Sequence, residues 1–269
     1  MISKIKITTS LIISTYNWPA ALNLCLLSIK NQSILPSEVI IADDGSGDET
    51  KELIDLHRKS FPVPLIHVWQ PDEGFQLSKI RNKAIAASTK EYIIQIDGDL
   101  ILHPHFVRDH IHFSKTGAFA TGSRVIINEK LSEKLLKEQS IAVHILVPGI
   151  KNRANGFRFN LLTRYLAGRY RNNDIYYMRG CNMAFWRDDL IRVNGYNEEF
   201  TGWGREDNEV AARLLNAGVK KRVIKFGGVV FHIFHHQKSR ASLSSNDDLM
   251  LRTIMEKLDH CDKGLDQYI

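Results

Sequence analysis

Apolar positions in the first hundred residues alternate between two kinds of spacing. The run "ITTSLIIST" at 7–15 is apolar and β-branched and predicts a β-strand, whereas "PAALNLCLLSIKN" at 19–31 has apolar residues at helical spacing that begin with a proline. The same alternation continues with strands in "EVIIADDGSGDET", "PLIHVWQ" and "EYIIQIDGD" and helices in "GDETKELIDLHRKS" and "QLSKIRNKAIAAS". Strands and helices in this order, with short connections, predict an α/β fold with a mostly parallel central sheet and helices on both faces.

The pattern is less regular after residue 106. We expect, in order, a helix at 103–113, a strand at 119–127, a helix at 132–146, a strand, helix, loop and helix within 178–218, a strand within 221–236, and a polar helical tail at 237–269. No internal repeat or low-complexity stretch interrupts this order.

The chain carries 36 Lys and Arg against 30 Asp and Glu, which gives a formal net charge of +6. This excess favours anionic partners such as nucleotide phosphates, nucleic acid or acidic lipid, and it fits a solvated basic surface equally well. No base-reading motif accompanies the charge, so we expect no nucleic acid partner.

Cys25, Cys181 and Cys261 lie far apart and outside any CxxC pattern. They predict neither a disulfide framework nor a zinc site, and they fit a reducing cytoplasm. The N-terminal residues lack the apolar core and cleavage site of a signal peptide, and no window is apolar over the length needed to span a bilayer. We therefore expect a cytoplasmic protein whose membrane contact, if any, is peripheral.

Residues 148–174 form a basic segment in which six Arg and Lys are interleaved with Phe, Leu and Tyr. Three interpretations stay open at this point. The segment would line an acceptor groove, lie on an anionic membrane surface, or form an ordinary solvated helical hairpin.

Polar or glycine-containing sequences follow the strands, and ligands bind beyond the carboxyl ends of the strands in an open parallel sheet. These strand ends are "STYN" at 14–17, "ADDGS" at 42–46, "PDEGF" at 71–75 and "DGD" at 97–99. We therefore look for the chemistry of the protein at this edge of the sheet.

Asp97 and Asp99 come directly after the apolar run "YIIQI", where unpaired charge is costly to bury. In an extended segment both side chains point to the same side, and Gly98 lets a ligand approach. Two carboxylates so placed make half of a site for Mg²⁺ or Mn²⁺, which substrate phosphates would complete. A surface turn is the alternative for an isolated "DGD".

Other charged groups are predicted at the same edge. Asp43 and Asp44 end another strand and are suited to accept hydrogen bonds from a nucleobase or ribose, or else to form a capping turn. Arg81 in the third helix is a candidate for binding phosphate or for pairing with the strand-end aspartates, and a solvated arginine is the alternative.

The late segment "GWGREDNEVAARLLNAG" places Glu206 and Asp207 at the start of an amphipathic helix. Two interpretations stay open: both carboxylates only stabilise the start of the helix through its dipole, or one fixes the loop and the other faces a substrate. Trp203, between two glycines, offers a flat face on which a sugar ring can stack.

Three histidines follow the apolar run "VVF": His232, His235 and His236. A neutral imidazole near Asp99 would suit Mn²⁺ better than Mg²⁺, and a surface cluster is the alternative.

Four segments taken in order resemble the inverting family 2 glycosyltransferases: "IISTYNWPAALNLCLLSIKNQ", "EVIIADDGSGDET", "KIRNKAIAASTKEYIIQIDGD" and "GWGREDNEVAARLLNAG". The resemblance covers residues 8–236 and is strongest to the bacterial enzymes that build capsule, lipopolysaccharide or other surface glycans. It implies a GT-A fold with a C-terminal galactosyltransferase-like segment. It also implies one glycosyltransferase domain at 1–236, with a nucleotide-binding half at 1–106 and an acceptor-binding half at 107–236, followed by a helical extension at 237–269.

The resemblance implies a role for each candidate residue. Asp99 matches the metal ligand of the D-x-D motif, with His232 as the C-terminal ligand and His235 as the alternative. Asp207 matches the general base, and Trp203 and Glu206 match acceptor-binding positions. The implied nucleotide-binding residues are Thr15, Tyr16, Asp43, Asp44, Arg81 and Asp97.

By this resemblance the protein moves a hexose or N-acetylhexosamine from a UDP-linked donor to a glycan or lipid-linked glycan, with Mn²⁺ or Mg²⁺ as cofactor. Two alternatives come from other classes. A nucleotidyltransferase should show a glycine-rich phosphate loop after the first strand, which "STYNWPAAL" lacks. A non-catalytic glycan-binding module would be expected to lose Asp97, Asp99 or Asp207, and all three are present.

Overall fold

The computed structural model describes residues 7–236 and 242–269. Its strands are β1 (Thr9–Thr15), β2 (Glu38–Asp43), β3 (Leu65–Trp69), β4 (Tyr92–Asp97), β5 (Leu100–Leu102), β6 (Ala118–Thr121), β7 (Ser123–Ile127), β8 (Ile150–Lys151), β9 (Asn182–Trp186), β10 (Lys220–Val223) and β11 (Val229–His232). Its α-helices are α1 (Pro19–Lys30), α2 (Asp48–Arg58), α3 (Leu77–Ala87), α4 (Phe106–Phe113), α5 (Glu129–Glu138), α6 (Asn160–Leu166), α7 (Arg187–Arg192), α8 (Glu206–Asn216) and α9 (Leu243–Met255).

The larger sheet has seven strands in the order β10-β6-β9-β4-β1-β2-β3. Among these described strands, only β9 runs antiparallel to its neighbours. The two faces of β1 show how the sheet is covered, because Leu11 and Ile13 pack with residues of α1 and α2, whereas Ile12 packs with residues of α3 and α8. The predicted mostly parallel sheet with helices on both faces is therefore confirmed.

A smaller sheet has four strands in the order β5-β11-β7-β8. The short strand β5 pairs antiparallel with β11, and His232 lies opposite Leu100 in this pairing. Because β5 follows β4 after two residues, the smaller sheet brings the end of β11 next to the "DGD" turn.

In two places where the sequence predicts one strand, the structure has two strands that belong to different sheets. The predicted strand 119–127 divides at Gly122, where a Cβ would lie 2.3 Å from Nδ2 of Asn182. The predicted strand within 221–236 divides between β10 and β11, where Phe226 and Gly228 have positive φ angles of 62° and 53°. Left-handed backbone breaks a strand, so the chain passes to the second sheet between β10 and β11.

The predicted helix at 132–146 starts and ends earlier, at Glu129 and Glu138. Gln139 adopts a left-handed conformation with φ 50°, which stops α5. The following apolar residues alternate with polar or exposed ones, and Ile141, Val143 and Ile145 pack against the smaller sheet. This period of two indicates extended chain, and it was missed beside the helical pattern that precedes it.

Residues 148–174 contain one α-helix, α6, together with β8 and a turn of 3₁₀ helix at Arg153–Gly156. The helical hairpin that was one interpretation of this segment is therefore wrong.

The predicted tail contains α9, which packs on α8, whereas residues 237–241 of that prediction lie outside the described residues. Asn246 of α9 donates to the carbonyl oxygens of Thr201 and Gly204 at 3.2 and 2.8 Å, and Thr253 donates to Glu209 at 3.1 Å. The helix thus supports both α8 and the loop that precedes it.

Within the described part of the chain, no helix combines the length and apolar character needed to cross a bilayer.

Candidate active site

The ends of β1, β2 and β4 lie at one level of the larger sheet. Thr15 is paired with Asp43, and Ser14 is paired with Asp97. Gly98 sits against this row, because its amide donates to the Ser14 carbonyl at 2.8 Å and a Cβ on it would lie 3.2 Å from Thr15 Oγ1. The glycine therefore lets the turn after β4 pack on β1.

The two aspartates that end β2 accept hydrogen bonds on every carboxylate oxygen. Asp43 has no exposed surface, and its oxygens contact the Ser46 amide at 2.8 Å and His67 Nε2 at 2.9 Å. Asp44 accepts from Gln70 Nε2 at 2.6 Å and from the Gln76 amide at 2.9 Å. Asp43 thus builds the turn, and Asp44 is the nearer of the two to solvent. Burial raises the pKa of Asp44.

Two exposed aromatic rings stand on either side of this turn. Tyr16 follows β1, is 42% exposed and donates to Asp72 Oδ2 at 2.8 Å. Trp69 ends β3, is 51% exposed and donates to the Ser46 carbonyl at 3.0 Å. Tyr16 was among the residues predicted from the sequence, whereas Trp69 was recognised only as part of a strand, although its position at a strand end was the available signal.

Arg81 is 1% exposed and lies among carboxylates from distant parts of the chain. Its guanidinium donates to Asp207 Oδ1 at 3.0 Å and to Asp97 Oδ1 at 3.4 Å, and it lies 3.7 Å from Glu206 Oε1. The solvated arginine considered from the sequence is therefore wrong, and the pairing with a strand-end aspartate is present. Its nucleotide contact stays a prediction.

Asp207 is held by two donors on one oxygen and by a glycine beneath the other. Oδ1 accepts from Arg81 and from the Tyr196 hydroxyl, the latter at 3.2 Å. A Cβ on Gly180 would lie 1.6 Å from Oδ2, so this position admits no side chain without displacing the carboxylate. Tyr196 and Gly180 were not predicted, because nothing in their local sequence indicates contact with a residue in another segment.

Glu206, next to Asp207, is buried and has a strongly raised pKa. Burial raises the pKa of Glu206 to about 8, the charge of Asp207 adds to this effect, and Arg81 opposes it. Its Oε2 is buried and makes no hydrogen bond within the described residues. Glu206 is therefore mainly protonated at neutral pH. Burial also raises the pKa of Asp97, to about 6, against the opposing effect of Arg81.

Asp99 contacts two histidines at and just after the end of β11. Its Oδ2 lies 3.3 Å from His235 Nε2 and 3.5 Å from His232 Nε2, and one ligand atom from each of the three residues falls within 4.8 Å of the others. The structure thus brings both candidate histidines to Asp99, whereas His236 is outside this group. Asp97 pairs with Arg81 and Asp99 lies against the two histidines, and the expectation that both aspartates of "DGD" face one cation stays a prediction.

These three residues fit a divalent cation by their chemistry and spacing. One carboxylate and two imidazoles form a mixed oxygen and nitrogen set, which suits Mn²⁺ better than Mg²⁺. Burial lowers the pKa of His232 to about 4, so its ring is neutral and able to bind a metal at pH 7.

The loop before α8 positions Trp203, which is 41% exposed. Gly202 and Gly204 have φ angles of 70° and 110°, which a side chain at those positions would strain. The Gly202 amide donates to the Phe75 carbonyl at 3.2 Å, so this loop contacts the segment that follows β3.

Comparison with known proteins supports the family suggested by the sequence. Residues 10–193 match the model described as glycosyl transferase family 2, and residues 166–236 match the model described as N-terminal domain of galactosyltransferase. A chondroitin synthase from Escherichia coli is 29% identical over 237 residues, which is 83% of this chain and 34% of that protein. The chain thus spans about a third of the length of this relative.

Solved structures of similar fold include two glycosyltransferases. S. aureus TarS 1–349 in complex with UDP-GlcNAc has a TM-score of 0.68 at 15% identity, covering 97% of this chain and 69% of that one. The mannosyltransferase PcManGT from Pyrobaculum calidifontis, in complex with GDP-Man and Mn²⁺, has a TM-score of 0.60 at 16% identity, covering 94% and 64%. The predicted GT-A fold is confirmed by these neighbours.

We predict that Glu206→Gln stabilises the protein more at about pH 8 than at about pH 5. The folded pKa is raised above the ordinary value of 4.5, so the unfolded chain ionises first and the parent protein loses stability as the pH rises from 4.5 towards 8. Gln does not titrate and avoids this loss. Urea unfolding at both pH values measures the difference, with Glu49→Gln in the exposed first turn of α2 as the control. A benefit from Glu206→Gln that is independent of pH would contradict the assignment.

Proposed function

The chain belongs to glycosyl transferase family 2, as its match over residues 10–193 shows, and from this premise we propose that it transfers a hexose or N-acetylhexosamine from a UDP-linked donor, with inversion, to a glycan or lipid-linked glycan. One observation carries the proposal. A single buried guanidinium, Arg81, contacts both Asp97 at the donor edge of the sheet and Asp207 at the start of α8. The residue proposed for the donor end and the residue proposed for proton transfer would therefore lie side by side.

The donor nucleotide would bind at the ends of β1, β2 and β3. Tyr16 and Trp69 offer exposed rings for the base, and Thr15 at the end of β1 and Asp44 directly after β2 are the proposed polar partners. Asp43 was implied in the same role and is fully buried, so it would act by shaping the turn. Support for a nucleotide-sugar donor comes from the neighbours solved with UDP-GlcNAc and GDP-Man.

Asp99, His232 and His235 would hold a divalent cation. When bound, the cation would neutralise negative charge on the departing diphosphate. Asp97 lies beside this group and is held by Arg81, so we propose that it fixes the donor end of the site rather than binding the cation.

Asp207 is suited to be the general base, and Glu206 is not. A base must accept a proton at neutral pH, and Glu206 already carries one because its pKa is raised to about 8 by burial. Asp207 has a side chain that is 16% exposed and is oriented by Arg81 and Tyr196. It would take the proton of an acceptor hydroxyl as that oxygen attacks the anomeric carbon on the face opposite the diphosphate. Protonated Glu206 and the ring of Trp203 would contact the acceptor.

The proposal also covers the acceptor and the cellular setting. The similarity to a chondroitin synthase, an enzyme of polysaccharide synthesis, favours a role in surface polysaccharide, lipopolysaccharide or capsule synthesis. The three cysteines are free and buried, as fits a reducing cytoplasm. Family membership excludes the nucleotidyltransferase, and the base variant below separates an enzyme from a non-catalytic module.

We predict that the donor can be identified by slow hydrolysis without an acceptor. In the presence of Mn²⁺, the protein should release nucleotide from a UDP-sugar faster than from GDP- or dTDP-sugars, measured by a coupled assay for free nucleotide. Chelation with EDTA should abolish the release. Release from GDP-mannose with none from any UDP-sugar would contradict the assigned nucleotide.

We predict that Mn²⁺ binding depends on two of the three neighbouring histidines. His232→Ala, His235→Ala and Asp99→Ala should each weaken Mn²⁺ affinity by at least about tenfold, because each removes a ligand atom. His236→Ala is the matched control, since it lies one residue from His235 and outside the group. Electron paramagnetic resonance of free Mn²⁺ gives the affinity. Equal losses for His236→Ala and His235→Ala would contradict this set of ligands.

We predict that Asp207→Asn slows transfer by a factor of about 100 to 10,000 while leaving Mn²⁺-dependent UDP binding unchanged. The amide keeps the size of the carboxylate and cannot take the proton. Calorimetry with UDP reports binding, and product analysis with the identified donor reports transfer. Asp188→Asn, in the first turn of α7, is the control. Loss of UDP binding together with transfer would contradict the role as base.

A further inference from the structure

An outward face of large apolar side chains is formed by α6 and the residues just before it. Phe157, Phe159, Leu161 and Tyr165 are 53%, 57%, 76% and 60% exposed. Leu161 and Tyr165 are four residues apart on the helix and therefore lie on one side of it. We call these four residues, together with Arg164 and Arg169, the α6 patch.

The opposite side of α6 is fixed to the body of the protein. Thr163 is fully buried and donates to the Phe226 carbonyl at 2.8 Å, and the Val223 amide donates to the Ala167 carbonyl at 3.0 Å. The Phe159 amide also donates to Phe226, at 3.0 Å. The helix is thus anchored by its small and polar residues, and its larger apolar side chains stay outside the core. This reverses the usual arrangement of a surface helix.

The chain segment that contains the patch carries charged side chains of one sign. Residues 139–173 contain no Asp or Glu and six Lys or Arg. Arg158 is neutralised by Asp109, at 2.6 and 2.8 Å, but Arg164 and Arg169 are exposed on the patch itself. The Arg169 guanidinium lies 4.8 Å from the centre of the Tyr165 ring and donates to the Tyr165 carbonyl at 3.0 Å. A cation is therefore held beside an exposed aromatic ring.

We propose that the α6 patch binds the surface of a bilayer that contains anionic lipid. Aromatic and aliphatic side chains that surround a helix lying at an interface enter the headgroup region, and arginines contact lipid phosphates. The most exposed member, Leu161, can neither stack on a sugar nor form a side-chain hydrogen bond, so a bilayer explains it better than an anionic polysaccharide does.

The position of the patch along the chain connects it to the site. The segment that follows α6 reaches Ile175, whose carbonyl accepts from Asn208 of α8 at 2.9 Å, and then Gly180, which lies against Asp207. The bilayer would therefore lie on the acceptor side, where a lipid-linked acceptor is presented. The lipid contact itself does not depend on the proposed reaction.

Sedimentation with vesicles tests the proposal without any sugar donor. The protein should bind vesicles of equimolar phosphatidylcholine and phosphatidylglycerol, bind pure phosphatidylcholine far less, and bind more weakly in high salt. The double variants Phe157→Ser with Leu161→Ser and Arg164→Gln with Arg169→Gln should each lose at least about tenfold in affinity, because the first removes apolar contacts and the second removes charge.

Matched controls come from the exposed face of α2. Leu56→Ser and the pair Lys51→Gln with Lys59→Gln should bind as the parent does, since Leu56 is 63% exposed but lies outside the patch. Circular dichroism and nucleotide release establish that each variant is folded and active, which separates loss of lipid binding from failure of the proposed function.

A gain of signal gives a second measurement that does not need a loss of binding. The fluorescence of Leu161→Trp should shift to the blue with anionic vesicles and be quenched by brominated lipid, whereas Leu56→Trp should not respond. Three results would overturn the proposal: no binding of the parent to anionic vesicles, equal losses in the α2 controls, or full binding by Phe157→Ser with Leu161→Ser. The last result would indicate a purely electrostatic site for a soluble polyanion.

Discussion

The site depends on one buried cation, the guanidinium of Arg81. Three carboxylates, those of Asp97, Glu206 and Asp207, meet at its nitrogens within 3.7 Å. Such a group of carboxylates would repel one another if no cation lay between them, and a buried ion pair that loses one partner costs about 3–5 kcal/mol. Arg81 therefore allows the end of β4 and the start of α8 to come together. Burial, with the neighbouring charge of Asp207 as a smaller cause, raises the pKa of Glu206 to about 8, so this carboxyl group holds a proton.

The residue after Arg81 extends this organisation to a second donor. Asn82 donates to the Tyr196 carbonyl at 2.8 Å and accepts from the Tyr196 amide at 2.8 Å, and the Tyr196 hydroxyl reaches Asp207. Two consecutive residues of α3 thus determine both hydrogen bonds to Asp207: Arg81 donates one directly, and Asn82 positions Tyr196, which donates the other. Arg213 of α8 pairs with Glu209 and donates to the Val193 and Gly195 carbonyls. These bonds fix α8 to the turn that carries Tyr196. The proposed base, Asp207, is therefore held by α3 and by the anchoring of its own helix, α8.

The features that could be predicted from the sequence are those that local pattern determines. Strands that alternate with helices specify a parallel sheet, and a parallel sheet specifies one edge for its strand ends, so the pattern alone places Thr15, Asp43 and Asp97 together. Local pattern does not show which distant residues meet. For that reason Tyr196, Gly180 and the double role of Arg81 were not foreseen, and His232 was not separated from His235. Both histidines lie at Asp99, and the Ile233 amide between them donates to the Asp99 carbonyl at 3.0 Å.

The loop that carries Trp203 is hydrogen-bonded to the segment that follows β3. Its Gly202 amide bonds to Phe75, and the same segment after β3 contains Asp72, which accepts from Tyr16. The other side of the loop is held by Asn246 of α9. The segment after β3, which accepts from Tyr16, is therefore hydrogen-bonded to the loop that carries Trp203, whereas Asp207, the proposed base, is held separately by Arg81. In the proposed reaction the proton chemistry would take place at the carboxylate that Arg81 holds, and the substrate contacts would come from the two hydrogen-bonded loops.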